Sequence, residues 1–109
     1  MLDWEDDLKL ADSDLYLDLL KRTLIGLTYE DDSHLVPASL QAQPTRVPHD
    51  ASRRQVGADW PTRAVSMIGL ARMNNLQQCV ETVLADGVPG DLIETGVWRG
   101  GAVIFMRGV

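Results

Sequence analysis

Glu94, Gly96, Arg99, Gly100 and Gly101 are the residues of this chain whose types and spacing could do chemistry. They sit in residues 90–102, GDLIETGVWRGGA, where an apolar run through Leu92 and Ile93 ends in an acid. The chain then turns at Gly96 and restarts after Gly101 as a helix-like apolar run, 102–106. Strand, glycine turn and helix start predict a unit that brings backbone close to a small molecule and aims a helix N-terminus at its anionic group. The acid at the strand end suits a ligand that carries an ammonium group as well as a carboxylate. Glu94 draws the cation while the helix N-terminus faces the anion.

Two commoner glycine-rich logics fail on particular residues. A dinucleotide turn, G-x-G-x-x-G, needs its second glycine so that pyrophosphate can touch backbone, and Trp98 occupies that place. A phosphate-cradling loop needs Lys and Ser or Thr after its last glycine, whereas Ala102 follows Gly101. What remains is Glu94, Gly96 and Gly100 at E-x-G-x-x-x-G spacing. The methionine end of S-adenosylmethionine has the matching charge pattern. On spacing alone, a purely structural strand-to-helix turn is also open.

The elements that must position these residues come earlier in the chain. Ser13 is placed to cap a helix over about 13–26, with Leu15, Tyr16, Leu19, Leu20, Thr23 and Leu24 at three- and four-residue spacings. Residues 28–58 hold Pro37, Pro44 and Pro48 among polar side chains and show no period, which predicts a lid-like loop. His34 and His49 fall there without a neighbour at metal-ligand spacing and are expected to be solvated loop residues. Pro61 suits a first helical position, with Trp60 beside it as a packing anchor. Asn74 or Asn75 is expected to cap a further helix with Leu76, Cys79, Val80, Val83 and Leu84 on its apolar side, closed by Gly87. Cys79 is then a small core residue.

Composition excludes several classes of function. The net charge of -6 is concentrated in residues 1–32, and no basic stripe exists to meet nucleic acid or an anionic membrane. No apolar run approaches the roughly 18 residues of a membrane span, and the first residues, MLDWEDDLKL, are acidic, unlike a secretory leader. One cysteine rules out an internal disulfide framework, so a reduced, cytoplasmic setting is expected.

Four stretches together are more specific than the glycine spacing. LYLDLLKRTL at 15–24, ADWPTRAVSMIG at 58–69, NNLQQCVETVLADGVPGD at 74–91 and IETGVWRGGAVIFMR at 93–107 resemble the macrocin O-methyltransferase family, which methylates sugar hydroxyls on macrolides and related natural products. The resemblance implies an α/β fold, the N-terminal portion of a class I, Rossmann-like methyltransferase, mostly helical in the part present and with one first strand and its glycine turn. It implies S-adenosylmethionine as cofactor with a divalent cation, usually magnesium, and a homo-oligomer acting on a sugar or glycosylated natural product. By family pattern Glu94, Thr95, Gly96, Trp98, Arg99, Gly100 and Gly101 form the cofactor loop, and Ser66 and Met67 lie over the methionine or adenosine side. Glu94 then holds cofactor and is not a base.

The same resemblance divides the chain into an N-terminal accessory segment, 1–58, and the start of the methyltransferase domain, 59–109. The acid of a second strand, the metal-binding aspartates and the catalytic base of such an enzyme have no counterpart in this sequence, so no catalytic and no metal-ligating residue is assigned. The expectation is a truncated N-terminal fragment, inactive alone, loosely packed, with the strand at 92–95 unpaired on both edges and Val103, Ile104 and Phe105 lacking a sheet to pack on. An alternative is a non-catalytic remnant or interaction module that pairs with a full-length relative through the helix at 15–24.

Overall fold

Helix α1 (Asp12–Leu24) begins with Asp12 and Asp14 and ends with Lys21 and Arg22, charges that complement the helix dipole at both ends. The structure, a computed structural model, describes residues 12–35, 37, 39 and 41–109; the acidic lead-in before Asp12 lies outside them. Because the helix starts at Asp12, Ser13 sits inside its first turn and is not the cap expected from sequence. The buried face is also rotated from the expected one. Leu17, Lys21 and Leu24 turn inward, whereas Leu15, Tyr16 and Leu19 are exposed. Leucines surround this helix, so spacing alone did not select a face. Lys21 is tolerated inside because its ammonium donates to Asn74 Oδ1 at 2.8 Å.

The segment expected as a lid-like loop, 28–58, holds β1 (Ser33–Leu35), β2 (Thr45–Val47) and α2 (Ala51–Val56) between irregular stretches. With β3 (Trp60–Pro61), which follows it, the strands make an antiparallel sheet in the order β2-β1-β3. Ser33 stands opposite Val47 and Pro61, and His34 opposite Arg46 and Trp60. Pro61 therefore belongs to an edge strand, where its missing N–H is harmless, and not to a helix start. Strands of two and three residues are too short to show a two-residue period, which is why the sequence reading missed them. Asp50 caps α2 by accepting from the backbone N–H of Ser52 and Arg53; the bond from the Ser52 hydroxyl foremost, with these two, holds its carboxyl below the usual range.

Helix α3 (Gly69–Ala85) is continuous through Asn74 and Asn75, which cap nothing. It buries Gly69, Met73 and Val80 and closes before Gly87, the stop expected from sequence. Cys79 is exposed, so its expected place in a core is not found. Residues 92–95 carry no strand ladder, a correction to the first strand expected there: a strand exists only by pairing, and their backbone pairs with no described strand. Helix α4 (Gly101–Gly108) follows, and its Phe105 completes a core with Leu17, Leu24, Ile25 and Met73. Phe105 is thus packed against helices, not stranded as expected, whereas Val103 and Ile104 do remain exposed. No helix among the described residues is long and apolar enough to cross a membrane.

Asp31 ties α1 to the strand end. Its carboxylate accepts from Thr62 Oγ1 at 2.5 Å, Arg63 N at 2.7 Å and Ala64 N at 2.9 Å. Burial alone pushes this carboxyl up, but the three hydrogen bonds and the Arg54 charge outweigh it and hold it below the usual range. A carboxyl held low takes up its proton less readily folded than unfolded. Its contribution to stability is therefore complete above the unfolded value of about 3.9 and is lost as pH falls through the lower, folded value. In thermal melts, the gap between wild type and Asp31→Asn is expected to be widest at neutral pH and to close at the acid end; a gap that persists unchanged into strong acid contradicts this role.

Candidate functional site

The site is assembled on the irregular segment 62–68, which the core holds in place. Asp31 fixes its start, Ser66 N donates to Leu24 O at 3.0 Å, and Val65 O accepts from Gly101 N at 3.0 Å. This last bond brings the N-terminus of α4 against Ser66. A β-carbon at Gly101 would lie 2.5 Å from Ser66 Cβ and 2.7 Å from Val65 O, so only glycine permits the approach.

The result is a cavity of about 170 Å³. Its walls include Ser66, Met67, Glu94, Gly96, Trp98, Arg99, Gly100 and Gly101, eight of the nine residues singled out from sequence. Thr95 is not in the wall. The space where a Gly96 β-carbon would stand is free of protein, which leaves its backbone open to a ligand. Arg99 lines the cavity while its Nη1 donates to the carbonyls of Pro61, Thr62 and Ala64 at 3.4, 3.2 and 3.0 Å, and its guanidinium lies 3.9 Å from the centre of the Trp98 ring. It clamps the glycine turn to the end of β3.

Glu94 is half-buried, and its Oε2 is sealed from solvent without a hydrogen-bond partner. A buried carboxylate oxygen left unpaired is costly unless a ligand donates to it. Arg72 joins the same wall from the first turn of α3, a helix whose N-terminus has no side-chain cap. The cavity thus presents one acid in need of a donor, two guanidiniums, of which that of Arg99 already donates to backbone carbonyls, and the N-termini of α3 and α4. That combination fits a zwitterion. Arg72 is not legible as a site residue while the helix is expected to start at Asn74; the start at Gly69 puts Arg72 in its first turn, close after the segment that carries Ser66.

These positions can be set beside known proteins. The macrocin-O-methyltransferase (TylF) family model matches residues 13–109. The chain belongs to that family. It is 57% identical over 96 residues to 8-demethyl-8-(2,3-dimethoxy-alpha-L-rhamnosyl)-tetracenomycin-C 4'-O-methyltransferase from Streptomyces olivaceus, covering 88% of this chain and 34% of that protein. It is 54% identical over 96 residues to mycinamicin III 3''-O-methyltransferase from Micromonospora griseorubida, with 88% and 36% covered. Among solved structures, the O-methyltransferase NovP superposes with a TM-score of 0.73 at 49% identity, over 89% of this chain and 36% of that one. The chain therefore spans about a third of the length of the relatives it matches.

A pairing module built on α1 is not favoured. Leu17 and Leu24 of that helix are buried in the chain's own core, and the relatives are O-methyltransferases. As for the divalent cation, no group of three or more His, Cys, Asp and Glu is placed to hold a metal ion among the described residues.

Proposed function

We propose that this chain forms the amino-acid end of the S-adenosylmethionine site of a sugar O-methyltransferase. The unpartnered Oε2 of Glu94, a residue that lines the cavity together with Arg72, is the observation that carries the reading. Glu94 accepts from the ammonium of the methionine moiety, and Arg72 with the α3 and α4 N-termini holds its carboxylate. The open side of Gly96 lets that moiety lie against backbone. When bound, the cofactor supplies an electrophilic methyl on a sulfonium sulfur, and the protein's part here is to fix the end remote from that sulfur. The acceptor is a sugar hydroxyl on a glycosylated natural product, a rhamnosyl-type deoxysugar being the form named for one relative. Magnesium and assembly into homo-oligomers belong to this reading as expectations of the family.

A cavity of about 170 Å³ is smaller than the roughly 300–1,000 Å³ that encloses a drug-sized ligand, so weak binding is expected. Titration of S-adenosylmethionine followed by NMR is expected to shift the Gly96, Gly100 and Gly101 amides. Glu94→Gln keeps the shape but removes the charge, and a charge-assisted hydrogen bond of about 1.5–3 kcal/mol predicts roughly ten- to a hundredfold weaker binding. Unshifted amides, or equal affinity in the variant, would defeat the proposal.

A further inference from the structure

Next to the cavity just described, and sharing Trp98 and Arg99 with it, lies a second of about 390 Å³ whose other walls include His34, Gln43, Trp60 and Pro61. Its walls come from four separate parts of the chain. The β1–β3 register sets His34 opposite Trp60. The Arg99 bonds to the carbonyls after β3 draw the 98–99 turn onto the same strand end. Two indoles, an imidazole and a carboxamide thus border one space of ligand size.

The lining discriminates among ligand classes. An anion finds a single guanidinium, and that one already donates to three carbonyls and stacks on Trp98. A wholly apolar ligand would leave His34 and Gln43 facing it without partners. A neutral sugar ring satisfies both halves: its C–H face lies on an aromatic plane, and its hydroxyls exchange hydrogen bonds with the imidazole and the carboxamide. We propose that this cavity is the acceptor subsite, holding a neutral deoxyhexose ring against Trp60 and Trp98, with Trp98 as the wall between acceptor and methyl donor. The inference rests on the methyl-donor reading of the adjoining cavity. It gives Trp60 a ligand-facing role in place of the packing role expected from sequence.

The test is an NMR titration of the whole chain with methyl α-L-rhamnopyranoside, read at the indole N–H signals of Trp60 and Trp98. Both are expected to shift with saturation in the millimolar range, and His34→Ala and Gln43→Ala are each expected to weaken binding about fivefold, the worth of one neutral hydrogen bond. Unshifted indoles, unchanged affinity in both variants, or stronger shifts with inorganic phosphate than with the glycoside would each overturn the subsite. A parallel titration with S-adenosylhomocysteine, read at the Gly96 and Gly101 amides, separates the two readings. Glycoside shifts without amide shifts support the sugar subsite and remove the donor reading, and the reverse removes the subsite alone.

Discussion

Replacing Arg54 with methionine is expected to destabilise the chain by about 3–5 kcal/mol, the cost of leaving a buried charge without its partner. Arg54 is 1% exposed, and its guanidinium joins four parts of the fold. Nε donates to the Asp59 carboxylate at 3.2 Å, Nη1 to Ile25 O at 2.9 Å, and Nη2 to Asp31 O and Ser33 Oγ, both at 2.8 Å. Ser33 Oγ in turn donates to Asp59, closing the network. Methionine fills much of the same volume but leaves the Asp59 charge and the carbonyls after α1 unpaired in the interior. Against a usual total of about 5–15 kcal/mol, that loss removes a large share of the stability. Urea unfolding followed by circular dichroism measures it. A midpoint equal to that of wild type would show that the network contributes little, and Asp59→Leu combined with Arg54→Met is expected to recover part of the loss by removing the orphaned charge.

The second large effect is expected at Gly69→Ala, about 2–5 kcal/mol. Gly69 has φ +81°, a left-handed conformation that costs an L residue roughly 1–2 kcal/mol. A β-carbon there would also meet backbone, 2.8 Å from Gly57 Cα and 2.9 Å from Arg54 O, and crowding in a packed interior adds about 1–3 kcal/mol. Gly87→Ala is the matched control, because its φ of +65° is similarly left-handed and nothing stands within 4 Å of the added carbon. Chemical denaturation of the two variants separates conformational strain from contact. If Gly69→Ala loses no more than Gly87→Ala, the close approach of Gly57 and Gly69 is unimportant. The candidate site is expected to suffer with the fold, since Gly69 starts the helix that carries Arg72 into the wall of the 170 Å³ cavity.

Much of the candidate site was legible in the chain itself, because Glu94, Gly96, Trp98 and the Gly100–Gly101 pair are close neighbours in sequence and act through local geometry. A glycine turn followed by a helix start is specified by the residues that form it, and so were the acidic start of α1 and the close of α3 near Gly87. The inward face of α1, the place of Cys79, the short strands and the guanidinium of Arg72 were decided only in three dimensions. In each case the deciding partner is distant in sequence: α4 and α3 select Leu17 and Leu24 from a helix ringed with leucines, and Ser33 pairs at once with Val47 and Pro61. The stretch at 92–95 makes the same point in reverse. Its apolar residues favour a strand, but strand hydrogen bonds need a neighbouring backbone, so its conformation is a property of what lies beside it and not of its own sequence.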